Sequence, residues 1–140
     1  MALSSSLYLL PRSDFKWTKA IWRSVWDSWR TGIERRKVEK ADVIIDEMMK
    51  IILEDSKIAA GDEVYVLVNG LGALPVMDQY VCYRRVDQIL NEKGINIHRT
   101  DVGNFATSMD MVGMSVTLVK LDDEIKELLD APCDTPYYKL

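Results

Sequence analysis

The sequence predicts an α/β protein: a layered sheet with flanking helices, at least part of it parallel. Three observations predict it. From Glu34 to Leu53 apolar residues recur at three- and four-residue intervals, two later runs are valine-rich and of strand type, and helical and strand patterns alternate through the body of the chain. With 140 residues, 48% hydrophobic and 29% charged, the composition is that of one globular domain with its own core.

Taken in order, the first helix spans Glu34 to Leu53 and ends near Asp55, with Val38, Ala41, Ile45, Met48 and Ile52 on its buried face. "GDEVYVLVNGLG" then reads as a turn, a buried central strand and a Gly-rich exit. Pro75 suits the first turn of a second helix, roughly Val76 to Lys93, that turns Met77, Tyr80, Val81, Val86 and Leu90 inward and stops at Gly94. "INIHRTDVG" alternates as a half-buried strand, and "NFATSMDMVG" reads as a short ordered crossover in which Phe105, Met109 and Met111 want burial. "MSVTLVKL" is a strand, Asp122 caps a short helix through Leu129, and "DAPCDTPYYKL" is an extended tail.

The net charge of −4 is unevenly spread, because Met1 to Thr31 carries five basic residues against two acidic ones, which leaves −7 for the remainder. All four tryptophans, Trp17, Trp22, Trp26 and Trp29, lie in that basic part, and the acidic body speaks against nucleic acid as a partner. No apolar run reaches the roughly 18 residues of a membrane helix, and "LYLL" is too short for a signal peptide, so a cytoplasmic location without a membrane partner is expected. Cys82 and Cys133 lack metal-ligand or CxxC spacing and are read as free thiols.

Four features invite a functional reading, each beside a plainer one. "VNGLGALP" stands where a phosphate-binding turn would, between strand and helix, yet it lacks the third glycine of GxGxxG and the Lys-Ser/Thr of a P-loop, so a tight structural turn is favoured. His98, the one histidine, reads as a surface or satisfied residue rather than a catalytic one. Asp122, Asp123 and Glu124 could ligand a cation, but capping accounts for them. On a helix, Trp22, Trp26 and Trp29 would form one stripe flanked by Lys19, Arg23 and Arg30, as on a membrane-surface helix; the plainer reading is that no selection shaped it.

From Gly32 onward the pieces "GIERR", "IAAGDEVYVLVNGLGALPVMDQY", "DVGNFATSMDMVGMSVTLVKLDDEIKELLDAP" and "DTPYY" stand in the order found in one family. The chain resembles the carboxyl-terminal part of the dihydroxyacetone-binding K subunit of dihydroxyacetone (glycerone) kinase, a phosphotransferase of glycerol metabolism, over about residues 32–138. The resemblance implies a fragment of the K-type kinase fold, dihydroxyacetone as family substrate, a phosphoryl-donor subunit or domain as partner, and a homodimer. Residues 1–31 resemble nothing in the family, so two parts are expected: 1–31, basic and Trp-rich, and 32–140, the carboxyl-terminal part of a K-type domain.

In the family a "GIERR"-like piece completes a GIHGEPG motif whose histidine binds the ketone of dihydroxyacetone covalently as a hemiaminal; here the chain has "WDSWRTG". Trp-Asp-Ser-Trp-Arg-Thr can be written TGG GAT TCA TGG CGA ACC, and starting one base later, with a following G, gives GGG ATT CAT GGC GAA CCG, which reads Gly-Ile-His-Gly-Glu-Pro. The segment before Gly32 is therefore expected to be frame-shifted family sequence. A truncated chain without the histidine is expected to be inactive alone, with no catalytic, substrate-binding or metal residue and no cofactor assigned to it. Relatives that act as transcriptional coactivators supply the alternative: a remnant of a ligand-sensing binding module. A stand-alone nucleotide-binding domain built on "VNGLG" is disfavoured.

Overall fold

A computed structural model describes residues 3–9, 20–24, 34–36, 39–108 and 111–140, with side chains from residue 39 onward. Nine elements follow in chain order: β1 (Leu3–Leu9), β2 (Ala20–Ser24), β3 (Glu34–Arg36), α1 (Ala41–Asp55), β4 (Glu63–Gly70), α2 (Val76–Glu92), β5 (Asn96–Gly103), β6 (Gly113–Lys120) and α3 (Asp123–Asp130). The strands form one mixed sheet in the order β3-β2-β1-β6-β4-β5. Only β4 and β5 run parallel, joined by α2 as a βαβ crossover, while β4–β6, β6–β1, β1–β2 and β2–β3 are antiparallel. This is the layered α/β architecture the sequence predicts.

β4 is the strand on which the layers meet. It pairs with β5 on one side and β6 on the other, and Val64, Val66 and Val68 alternate onto the helix face, where all three are fully buried. Met114, Val116 and Leu118 of β6 continue that face. Ile44, Ile45, Met48, Met49 and Ile52 of α1 and Val86, Ile89 and Leu90 of α2 cover it.

The first helix departs from the sequence reading at its start. Glu34 to Arg36 are a strand paired with β2, and the helix begins only at Ala41, because the backbone groups of these residues are taken by the sheet ladder. Its end at Asp55 is as expected, while Val38 lies outside the described residues and Ala41 is half-buried. In α2 the inward residues are Gln79, Val86, Ile89 and Leu90; Met77, Tyr80 and Val81 point to solvent instead. The helix meets the sheet along the Gln79–Val86–Leu90 line, which turns its first apolar turn away from the core. Pro75 sits at the N-cap, just ahead of the first turn, and Gly94 closes the helix with φ +68°.

Two other expectations change. β5 is half-buried along nearly its whole length without the alternation the sequence suggests. The tail is not extended: Thr135 and Tyr138 close a tight turn, Asp134 bridges to Lys139, and the Leu140 N–H donates to the Cys133 carbonyl. Asp122 caps α3 as expected, accepting from the Ile125 N–H at 2.8 Å. No residue of α3 is fully buried, and charge ties it to the sheet: Lys126 pairs with Glu63, and the Arg99 guanidinium donates to the Leu129 carbonyl at 2.8 Å. Hydrogen bonding to Lys126 holds the Glu63 carboxyl below its ordinary range, and the Lys120 ammonium at 2.6 Å does the same for Asp62.

Trp22 stands in β2, a strand, while Trp17, Trp26 and Trp29 lie outside the described residues, as does Met109. Among the described residues no helix is long and apolar enough to cross a membrane.

Candidate functional site

In an open α/β sheet, ligands favour the crevice beyond the carboxyl ends of parallel strands. Here that place is built by the exits of β4 and β5, and the two sequence pieces "VNGLGALP" and "GNFATS" meet there. Asn69, the second-last residue of β4, is buried, and its side-chain oxygen accepts from the Phe105 and Ala106 N–H groups at 2.8 Å each. Its amide nitrogen donates to the Ala106 carbonyl at 2.9 Å. Gln79, fully buried in the first turns of α2, donates to the Leu74 carbonyl at 3.1 Å and to the Asn104 side chain at 2.9 Å.

The glycines let the two loops come this close. A Cβ on Gly70 would lie 2.1 Å from both Asn104 Oδ1 and Gln79 Nε2, and one on Gly72 would lie 2.3 Å from the Ser108 carbonyl oxygen. Gly72 also has φ +127°, a backbone conformation that L side chains rarely adopt. Backbone bonds finish the seal: Ser108 donates to Leu71, Leu71 to Gly113 and Ala73 to Met111. "VNGLG" is thus a tight turn held against the chain's own crossover through Leu71 and Ala73.

Beside it, on β5, a second cluster centres on Asp101. Its Oδ2 accepts from the phenols of Tyr65 and Tyr138, each at 2.7 Å, and lies 3.4 Å from Arg99, whose guanidinium sits 5.6 Å from the Tyr138 ring centre. Burial first, and then the bond to Asp101, pushes the Tyr65 phenol up. Phe105 meets Tyr137 and Tyr138 edge-on, and the Tyr137 phenol donates to the Asn104 carbonyl. Phe105 and Met111 therefore find partial cover at the surface rather than the burial the sequence suggests, Phe105 against the tail and Met111 through its bridge to Gly72.

His98 is on β5 but apart from both loops: its Nε2 faces both carboxylate oxygens of Asp130 at 2.9 and 3.0 Å. The structure leaves Asp122 as a cap and brings neither Asp123 nor Glu124 into a cluster; no group of three or more His, Cys, Asp or Glu among the described residues could hold a metal ion. Cys82 and Cys133 are free, and burial, followed by the charge of Asp78, pushes the Cys82 thiol up to about 11, which keeps it protonated at neutral pH. Sequence reasoning missed Asn69, Gln79, Asn104 and Asp101 as partners, since they lie 25 to 37 residues apart; the signal on offer was that polar residues flank glycines at two strand ends.

An α/β sheet whose parallel strand exits are locked together by Asn, Gln and Gly defines the class, and the comparisons name it. A family model, the Dak1 domain, matches residues 30–137, so the chain belongs to the Dak1 family. Over 109 residues it is 64% identical to the PTS-dependent dihydroxyacetone kinase 2, dihydroxyacetone-binding subunit DhaK of Listeria innocua, covering 78% of this chain and 33% of that one. Among solved structures, one described as regulation of the dha operon of Lactococcus lactis superposes with TM-score 0.79 at 25% identity, over 94% of this chain and 40% of that one. The dihydroxyacetone kinase operon co-activator Dha-DhaQ shares the fold, with TM-score 0.73 at 24% identity over 93% and 43% of the two chains. The chain spans about a third or less of the length of the curated relatives it matches.

The loop lock is testable through two glycines. Gly61→Ala introduces a side chain at φ +89° into open space, and its cost is backbone strain alone, about 1–3 kcal/mol. Gly72→Ala adds a collision with the Ser108 backbone. The Tm of the Gly72 variant should fall clearly below that of the Gly61 variant, and equal losses would show that the loop contact contributes nothing.

Proposed function

We propose that the chain is a dihydroxyacetone kinase K-subunit-like unit that supplies fold but not chemistry: alone it neither traps nor phosphorylates dihydroxyacetone. One observation carries this reading. At the strand exits Asn69 bonds the crossover backbone and Gln79 Nε2 bonds Asn104, locking two loops, while Gln79 Oε1 is buried without a partner, and His98 is turned to Asp130 on α3. Hemiaminal formation needs a nucleophilic nitrogen with room beside it for the ketone, and none of these groups offers it.

The register across the sheet supports a separate place for the family's histidine. Glu34, two residues after Gly32, stands in one row with Trp22, Tyr8, Met114 and Gly70, four strand spacings from the "VNGLG" turn, or about 19 Å. The sequence piece that completes the histidine motif in the family therefore leads into the opposite edge of the sheet from the turn. We take residues 1–31 as the frame-shifted part; the family match begins at residue 30, two residues ahead of Gly32. Sequencing of the gene should find that the codons for Trp26 to Thr31, read one base later, spell Gly-Ile-His-Gly-Glu-Pro; any other codons make the segment a genuine fusion.

The fold shared with the operon co-activator favours a second reading, in which the longer parent was a ligand-sensing binding module. The upstream reading frame separates the two, since a kinase parent carries pocket residues there. In both readings, intact-mass measurement of the purified chain with dihydroxyacetone should show the unmodified mass and no dihydroxyacetone phosphate. A stable adduct on His98 would overturn the proposal.

A further inference from the structure

The tail, residues 133–140, is closed on itself before it touches anything else. The Thr135 N–H and hydroxyl both donate to the Tyr138 carbonyl at 2.9 Å, and the Leu140 N–H donates to the Cys133 carbonyl at 2.9 Å. This turn presents Tyr137 and Tyr138 together. The Tyr137 phenol donates to the Asn104 carbonyl and the Tyr138 phenol to Asp101 Oδ2 at 2.7 Å. Phe105 stands edge-on to both rings, with centres 6.1 Å away, and the Arg99 guanidinium lies 5.6 Å from the centre of the Tyr138 ring. The tail therefore grips the first residues of the crossover from outside, while Asn69 holds Phe105 and Ala106 from beneath.

Closure carries a penalty at the same place. Gln79 is fully buried and its Nε2 is spent on Leu74 and Asn104, but its Oε1 has no partner. An unmet buried acceptor raises the energy of the closed arrangement relative to one that water can reach. Asn104 joins the opposing effects, since its side chain meets Gln79 and its carbonyl meets Tyr137. We propose that the tail is a strap: docked, it holds the crossover over the strand exits, and released, it lets residues 104–108 lift and turns the Asn69 and Gln79 carboxamides toward water. Opening and closing of the strand exits is then set by the docking of a segment about 30 residues further along the chain.

Amide hydrogen exchange of the full chain tests the coupling, because the strap residues lie outside the core and can be changed without touching it. In Tyr138→Ala the Phe105, Ala106 and Ser108 amides should exchange at least about tenfold faster, with β4 and β6 unchanged. Tyr138→Phe keeps the ring beside Arg99 and Phe105 and loses only the bond to Asp101, so it should speed these amides by less. Coupling is reciprocal: Asn69→Ala, which frees the crossover from beneath, should raise the nitration of Tyr138 by tetranitromethane, mapped by peptide mass. Crossover amides that keep their protection in Tyr138→Ala would show that the tail packs independently and would overturn the proposal. So would a rise shared equally by β4 and β6, since that is a loss of global stability and not the release of a strap.

Discussion

The side-chain amide of Asn69 organises the end of the molecule where a functional site would stand. β4 stops at Gly70, and β5 ends at Gly103 in a crossover whose described residues 104–108 lie outside the named strands. One buried amide takes over that task, accepting two N–H groups and donating to one carbonyl of the crossover. An unmade bond here would leave a buried polar group without water, at a cost of about 1–3 kcal/mol each, so the neighbouring sequence is constrained in turn. Gly70 and Gly72 have to be small because the crossover lies against them, and Gln79 and Asn104 meet across the gap this creates. The same geometry ties the Leu71 and Ala73 amides of the turn to the Gly113 and Met111 carbonyls.

Stability is divided unevenly around that point. The helix face of the sheet is apolar and dry, built on Val64, Val66, Val68, Val116 and Leu118 against α1 and α2. The carboxyl-terminal portion is held by polar and aromatic contacts instead, with Lys126 on Glu63, Arg99 on Leu129, and Tyr65 and Tyr138 on Asp101. Its attachment is therefore more sensitive to solution conditions than the core, since partly exposed charge pairs are screened by salt and apolar burial is not.

Much of this was legible in the sequence, and the failures share a cause. β4, β6, the end of α1, most of α2 and the Asp122 cap are local patterns, set by period, cap residues and glycine, and the structure places them as read. What could not be read is what a segment packs against. Glu34 to Arg36 have a helical pattern but are claimed by β2; Met77, Tyr80 and Val81 are apolar yet face solvent because α2 docks along another line. The tail folds back because Tyr137 and Tyr138 find Asn104 and Asp101 more than 30 residues away. The motif pieces "VNGLGALP" and "GNFATS" read as a turn and a crossover, and that Asn69, Gln79 and Asn104 meet between them was not legible, because the partners lie 25 to 37 residues apart.

The central claim is that Asn69 holds the crossover closed, and amide hydrogen exchange measures it directly. In the intact protein the Phe105 and Ala106 amides should be protected far beyond their exposed neighbours, approaching the protection of β4. In Asn69→Ala that protection should vanish while the β4 and β6 amides keep theirs. Free exchange of Phe105 and Ala106 in the unaltered chain would contradict the account.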